Sequence, residues 1–293
     1  MLKSSIIALA ITTAAAMSAS SYGALIEGFE DTNSLTTNYN MADTSGANKF
    51  INASSPSIGS NAIKAGGNNT LTYKNSTFSL AKGQSITTSV WVAQRTAGSN
   101  SNVLVQLGFG DKATDTFNNG AGYVSIFSRL INDDTTADST QYHLAADNKS
   151  DANTAASENK SPYPKVKLAG GYGTNGHPGP VWYIYSLKLT RTDTNAFQTV
   201  SSLQYVGPNG TETPGNTVLT YTSDVYTNAA FAALADQGKL YAGIRSNTNS
   251  GALRLDNFAV SDPVATPEPA AAGAIGVGAL LLGKRRRKSN KSN

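Results

Sequence analysis

Carboxylates and histidines are the side chains of this chain that could carry acid–base chemistry, and both are scarce. The sequence contains no cysteine and two histidines, which excludes a thiol nucleophile, a thiolate zinc site and a cluster of histidine ligands. Apart from Glu268, the glutamates are Glu27, Glu30, Glu158 and Glu212. Glu27 and Glu30 would lie on opposite faces of a strand, since they differ by three positions. A glycosidase with paired carboxylates is therefore disfavoured, whereas a polysaccharide lyase that uses tyrosine and arginine remains open.

Two tryptophans offer a different kind of chemistry, the stacking of a flat ring on a sugar. Trp91 and Trp182 each interrupt an alternating apolar pattern, so they occupy the strand face opposite the predicted core. Tyr241 and Arg245 have the corresponding parity on their own strand. If this face is open, the four residues predict a carbohydrate-binding surface. If loops cover it, the tryptophans have a structural role.

Carboxylates near both ends of the predicted domain suggest a structural calcium ion. The apolar positions switch parity after Leu255, which predicts a β-bulge at Asp256 and Asn257 that re-aims their side chains. If the first and last strands are neighbours, Glu30 or Asp31 could meet Asp256 around a cation that prefers oxygen ligands. The alternative is a bulge whose polar side chains are solvated or hydrogen-bonded locally.

The elements that position these residues are indicated by the period-2 alternation of apolar side chains. Only 14% of the residues are charged, against roughly 25% in a typical chain, which disfavours exposed helices and suits strands. Strands are predicted over residues 71–73, 86–92, 103–109, 123–130, 166–169, 181–189, 197–206, 217–222, 240–244 and 253–260. The sequence therefore predicts one all-β domain, an antiparallel β-sandwich, over residues 24–265.

One helix and one long loop interrupt this pattern. Residues 228–236 are rich in alanine, follow a capping Thr227 or Asn228 and precede Gly238, which together predict a helix. Residues 132–164 are rich in Asp, Asn, Ser and Thr and have almost no large apolar side chain. They predict a long loop on the surface.

The N-terminus is typical of a secretory signal peptide. Residues 1–23 contain Lys3, an apolar run over 6–16 and then small polar residues, with Ser21 and Gly23 where a signal peptidase reads. Export is therefore expected. The net charge of +4 comes from the two ends, because residues 24–266 are slightly acidic. No nucleic-acid partner is expected for such a body.

Three features follow one another over residues 266–293. They are Pro267-Glu268-Pro269, an uncharged apolar run over 270–283, and a basic cluster that contains Arg285, Arg286 and Arg287. This order is typical of a short transmembrane helix with a cytoplasmic basic end. It resembles the PEP-CTERM sorting domain. The resemblance implies an exported protein of a Gram-negative bacterium that is held transiently in the inner membrane and cut near the motif by an exosortase-type membrane protease.

The domain itself resembles concanavalin A-like jelly rolls of the laminin G and lectin/glucanase type. The resemblance rests on the number of strands, the opening residues 28–31 and the closing residues 255–260; immunoglobulin-like and carbohydrate-binding-module sandwiches fit the same pattern. Laminarinase-like enzymes of this fold carry Glu-x-Asp-x-x-Glu, which is absent here. The absence of this motif favours a non-catalytic domain that binds carbohydrate, and the C-terminal resemblance implies the envelope, the cell surface or extracellular polysaccharide as its destination. The alternatives are a carbohydrate-active enzyme (lyase or hydrolase) and a structural matrix protein without a specific ligand.

Overall fold

A computed structural model describes most of the predicted β-domain. The described residues are 25–30, 34–43, 51–53, 62–94, 102–114, 123–132, 141–149, 155–158, 166–167, 181–208 and 217–266. Residues 1–24 and 267–293, which contain the predicted signal peptide and sorting segment, lie outside this part of the chain. Both of those features therefore stay predictions.

Strands dominate the described residues, and two short helices accompany them. The helices are α1 (Ser34–Asn38) and α2 (Ala229–Asp236). The strands are β1 (Leu25–Glu27), β2 (Tyr39–Asp43), β3 (Ile51–Ala53), β4 (Ala62–Tyr73), β5 (Gln84–Gln94), β6 (Asn102–Gly110), β7 (Ser125–Asn132), β8 (Gln141–Lys149), β9 (Ala155–Glu158), β10 (Val166–Lys167), β11 (Val181–Arg191), β12 (Ala196–Pro208), β13 (Thr217–Thr222), β14 (Tyr226–Thr227), β15 (Tyr241–Val260) and β16 (Val264–Ala265). Every described strand pair is antiparallel, which confirms the predicted class.

One long strand, β15, belongs to both halves of the strand network. Its residues 241–246 pair with β6, and its residues 253–260 pair with β5. The order along the network is β10-β8-β7-β6-β15-β5-β11-β12-β13. We call the half from β10 to residues 241–246 the first sheet, and the half from residues 253–260 to β13 the second sheet. β4 pairs with both parts of β15, and β1 pairs with its last three residues.

The two sheets face each other and enclose the core. The Ser201 hydroxyl on β12 donates to Ser128 Oγ on β7 over 2.7 Å, which places the second sheet against the first. Side chains at alternate strand positions fill the space between them: Leu107, Phe109, Ile126, Leu130, Leu144, Tyr185, Leu187, Leu203, Ile244, Leu255 and Phe258. The fold is therefore an antiparallel β-sandwich, and each sheet has an outer face opposite this core.

Helix α2 begins where the sequence predicts. The Asn228 side chain accepts a hydrogen bond from Phe231 N over 2.9 Å, and Gly238 follows the helix with φ of 64°. The Asn228 amide also donates to the Lys149 carbonyl over 3.0 Å. The predicted helix is confirmed, and its cap fastens it to the end of β8.

The predicted loop over residues 132–164 is wrong in its central part. Residues 142–149 of β8 pair with β7, and 155–158 form β9. Small and charged residues fill this strand, since Ala145 and Ala146 are buried and Lys149 is 1% exposed. A segment poor in large apolar side chains can lie inside a protein when its charged groups have partners.

Candidate functional site

The outer face of the first sheet collects polar and charged side chains from four neighbouring strands. Directly opposed residues of antiparallel strands lie on the same face. The first row across β15, β6 and β7 consists of Arg245, Gln106 and Arg129. The second row consists of Gly243, Gly108, Phe127 and Asp147, and the third of Tyr241, Gly110, Ser125 and Lys149. We call the surface formed by these three rows, together with His143 on β8, the polar face.

Charges on the polar face are paired across strands. Arg129 Nε lies 2.5 Å from Asp147 Oδ2, and 15% and 4% of these side chains are exposed. Loss of either partner would leave the other as a charge largely removed from water, so the pair is costly to break. Together with Lys149 and Arg245, the pair gives the face three cations and one carboxylate. This balance favours an anionic or strongly polar ligand.

Two buried polar atoms lie close to this ion pair. Gln106 is 7% exposed, and its Oε1 has no hydrogen-bond partner within the described part of the chain. Ser125 Oγ in the third row is also buried and also has no hydrogen-bond partner within the described residues. Buried polar atoms are nearly always hydrogen-bonded in proteins. The Gln106 amide is therefore a point of the polar face where a ligand hydroxyl or a water would be bound, whereas the fully buried Ser125 hydroxyl is a place for a buried water.

The two edges of the polar face differ in exposure. On the β8 side, Lys149 is 1% exposed, and its Nζ lies 5.3 Å from the centre of the Tyr123 ring, which is a cation–π distance. On the β15 side, Tyr241 and Arg245 are only partly buried. The polar-face side chains that a ligand could reach are therefore Tyr241 and Arg245 on β15 and the partly exposed Arg129 on β7.

A glycine allows two strands of the polar face to approach closely. A Cβ atom added to Gly108 would lie 2.4 Å from the Ile126 carbonyl oxygen and 2.6 Å from Phe127 Cα. Only glycine fits at such a contact. Gly243 is the partner of Gly108 in β15. Two adjacent positions without side chains therefore lie in the row between those of Arg245 and Tyr241.

The outer face of the second sheet is apolar at one end. The fully buried Trp182 packs there with Ala62, Ala93, Ile184 and Val206, and the partly buried Trp91 lies against this group. We call these six residues the tryptophan cluster. Because no part of the Trp182 side chain is exposed, its ring is not open to stacking on a sugar. The arrangement supports the alternative in which the tryptophans are covered and have a structural role.

The four residues predicted to form one carbohydrate-binding surface lie on opposite sides of the sandwich. Trp91 and Trp182 are on the outer face of the second sheet, whereas Tyr241 and Arg245 are on the polar face of the first. The reason is the course of β15, whose early residues pair with β6 and whose late residues pair with β5. Equal parity in sequence does not mean a shared face here, and the four side chains do not form one platform.

The predicted bulge is present, and the first and last strands are neighbours. Asp256 pairs with Trp91, and the next pair is Ala259 with Ser89. Two residues of β15 therefore lie between these pairs against one residue of β5, so β15 contains an extra residue. Asn257 has a left-handed φ of 45°, which asparagine tolerates better than most residues. β1 pairs with residues 258–260. The chain ends of the domain therefore meet at the bulge.

The oxygen atoms around the bulge are only partly those expected for a calcium site. Asp256 is fully buried, and its Oδ1 accepts a hydrogen bond from Asn257 N over 2.8 Å, which supports the locally bonded alternative. Oxygen atoms of Asn257 and of the exposed Glu30 lie near Gly28. A Cβ atom added to Gly28 would be 3.5 Å from Asn257 Oδ1 and 4.0 Å from Glu30 Oε1. Asp31 lies outside the described residues. Within those residues, no group of three or more His, Cys, Asp or Glu could hold a metal ion, so calcium stays a prediction.

The predicted sorting residues, Pro267, Glu268, Pro269, Arg285, Arg286 and Arg287, lie outside the described residues. The residue before the motif, Thr266, is described. In the described ranges no helix is both long and apolar enough to cross a bilayer. The apolar run over 270–283 is not included in that search.

Comparison with known proteins yields only distant structural likenesses. No protein-family model and no curated protein matches the sequence. The chain is similar to the carbohydrate recognition domain of Emp47p at 8% identity and TM-score 0.45, over 81% of this chain and 94% of that one. It is similar to the cellulose-induced protein Cip1 at 13% identity and TM-score 0.41, over 81% of this chain and 96% of that one. It is similar to the PL-14 alginate lyase of Aplysia kurodai at 12% identity and TM-score 0.39, over 73% of this chain and 87% of that one. The fold assignment rests on the strand pairing above.

The polar-face residues of β6, β7 and β8 are the functional candidates that sequence reasoning missed. The signal is present in β8, where Tyr142, Leu144 and Ala146 alternate with His143 and Asp147. This is the period-2 pattern of a strand with one apolar face. It was hidden because the surrounding residues have the composition of a loop.

Proposed function

We propose that the chain is an exported protein, sorted through the PEP-CTERM pathway, whose β-sandwich binds an extracellular polysaccharide through the polar face without catalysing a reaction. The observation that carries the binding proposal is the row of Arg245, Gln106 and Arg129 across three adjacent strands. Strands are spaced about 4.8 Å apart, so the row offers donors and an acceptor over the length of one or two sugar residues. Guanidinium groups bind carboxylates and hydroxyl oxygens through directional hydrogen bonds.

Binding assays with neutral and acidic polysaccharides test this proposal. Arg245→Ala is expected to weaken binding of the recognised polysaccharide by about tenfold or more, since a charge-assisted hydrogen bond contributes roughly 1.5–3 kcal/mol. Lys188→Ala is the matched control, because Lys188 is an exposed cation on the outer face of the second sheet. Equal loss in both variants would contradict a site on the polar face. Absence of binding to every polysaccharide would contradict the proposal and favour a structural matrix role.

A carbohydrate-active enzyme is the second candidate, because the polar face also holds a histidine. His143 lies on β8 one row beyond Arg129, on the same face. A lyase needs a base beside the sugar and a cation near its carboxylate. Tyr185 is not placed to supply the base, because it lies in the core between the sheets, where burial raises the pKa of its phenol. Product formation from the same polysaccharide panel, lost in His143→Ala with binding retained, would establish the enzyme.

The sorting part of the proposal rests on the C-terminal sequence. Hydrolysis near Pro267-Glu268-Pro269 would consume one water and leave a new carboxyl terminus on the folded domain. Replacement of the three motif residues with alanine is expected to leave export intact and to leave an uncut protein in the membrane fraction. Intact-mass analysis of the mature wild-type protein from its host measures this. A mass that still includes residues 285–287 would contradict the proposal.

A further inference from the structure

The folded domain extends to the residue before the Pro-Glu-Pro motif. β16 pairs with the start of β5, with Ala265 opposite Gln84. Thr266 then donates its backbone N–H to the Gly83 carbonyl over 2.7 Å, and its hydroxyl donates to the same oxygen over 2.5 Å. Pro267 is the next residue. No linker therefore separates the sheet from the motif.

The segment that joins the sheet to the motif is attached mainly through its backbone. We call residues 264–266 the strap. Val264 is 48% exposed and Ala265 is also exposed, so little apolar surface holds the strap in place. Ser261, just before it, is 5% exposed and exchanges two hydrogen bonds of 2.8 and 2.9 Å with the Thr87 backbone. Ser261 is therefore the fixed point from which the strap could open.

We propose that the strap must detach from β5 before the sorting protease can cut, so that this edge of the second sheet controls processing. The inference rests on the proposed sorting function. An extended peptide is recognised through its main-chain hydrogen bonds. In the paired strap the N–H of Thr266 is already bound by Gly83. Residues preceding the cut therefore become available to a protease only in the locally opened state.

Detachment also changes the distance between the domain and the membrane. With the strap paired, only residues 267–269 separate the sheet from the apolar run that begins at Ala270. Three extended residues span about 10 Å. Opening as far as Ser261 releases residues 262–266, which add about 17 Å. The open state therefore lets the motif enter an active site at the membrane surface while the folded domain stays clear of it.

A disulfide across the strap tests the proposal, because the chain has no cysteine of its own. The bond from the Thr266 N–H to the Gly83 carbonyl flanks the pair of Ala265 and Gln84, as in a non-hydrogen-bonded pair, whose Cα atoms lie about 4.5 Å apart. This distance suits a disulfide. The variant Gln84→Cys/Ala265→Cys is expected to lose processing in its host and to remain uncut in the membrane fraction. Reduction of isolated membranes is expected to restore the cut.

A second disulfide provides the matched control. The hydroxyls of Ser186 and Ser202 lie 2.7 Å apart on the outer face of the second sheet, away from the strap. Ser186→Cys/Ser202→Cys is expected to be cut like the wild type. Normal cutting of the Gln84→Cys/Ala265→Cys protein, with its disulfide verified by mass, would overturn the strap proposal and leave sorting intact. A wild-type protein that keeps its C-terminus would overturn sorting and the strap together.

A variant that weakens the strap tests the opposite direction. Val264→Gly leaves the motif and Thr266 unchanged but disfavours the extended conformation of the strap. A glycine within a strand lowers the stability of the paired strap by an amount that corresponds to an about two- to fivefold larger population of the detached strap. Cutting is therefore expected to accelerate by about two- to fivefold. An unchanged or slower rate would contradict the proposal.

Discussion

The two outer faces of the sandwich have similar alternation in sequence and opposite chemistry in the structure. The polar face places Arg129 within 2.5 Å of Asp147 and has a buried amide beside them. The outer face of the second sheet instead buries Trp182 completely in an apolar group. Alternation in sequence therefore shows which residues point away from the core. The neighbouring strands decide whether those residues meet charges, apolar groups or water.

The difference also separates stability from recognition. The tryptophan cluster is a small additional core, whose contribution comes from the burial of apolar surface. The polar face contributes less through burial, because the desolvation of its charges offsets much of what their pairing gains. Ligand recognition is therefore expected on the polar face, and the larger stability effects are expected on the other.

The largest expected effect is at Trp182. Trp182→Ala is expected to lower the free energy of unfolding by about 3–5 kcal/mol, because it empties a buried site of large volume. Denaturant unfolding measures this change. Trp91→Ala is the control and is expected to cost clearly less, since Trp91 is only partly buried. A small loss of stability in Trp182→Ala would mean that this face is open and would restore the sugar-stacking interpretation.

A calcium ion at the bulge would place a charged site on the outer face of the second sheet as well, because Asp256 lies opposite Trp91 there. If Glu30 helps to hold such an ion, chelation should lower stability by about 2.7 kcal/mol relative to an ion concentration of ~100 Kd. Glu30→Gln changes an exposed side chain and should remove the sensitivity. Thermal unfolding with and without chelator measures both. A chelator-insensitive Tm of the wild type would exclude the ion.

The ion pair of the polar face gives the smallest of these effects. Asp147→Ala is expected to lower the free energy of unfolding by about 2 kcal/mol, since it leaves the Arg129 guanidinium largely buried without its carboxylate. The double variant Arg129→Met/Asp147→Leu removes both charges and is expected to recover most of that loss. Denaturant unfolding of the wild type, of the single variants Arg129→Met and Asp147→Leu, and of the double variant measures the coupling. Additive losses would show that the two side chains act independently.

The strands could be predicted from sequence wherever burial of one face leaves a local pattern. Residues 86–92 and 181–189 lie within β5 and β11 as predicted. The bulge after Leu255 was also predicted, because a change of parity is visible in a few residues. β8 was missed because its buried charge at Asp147 is compensated by Arg129 on another strand, and such pairing leaves no trace in local composition.

The candidate site was harder to predict than the fold for a related reason. Tyr241 and Arg245 were assigned to the correct outer-facing parity of their strand, and both lie on the polar face. Their grouping with Trp182 failed because β15 passes from one sheet to the other within a single strand. Which strands become neighbours depends on contacts between distant parts of the chain. Periodicity within a segment contains no information about them.

The shared strand has a consequence for the order in which the protein acquires its structure. β15 pairs with β1, β4, β5 and β6, so a nascent chain that ends at Lys239 lacks a partner for strands of both sheets. Pairing between residues 25–27 and 258–260 also requires contact between the two ends of the domain. Such distant contacts make folding slow. The domain therefore completes the pairing of both sheets only after its last long strand has been synthesised.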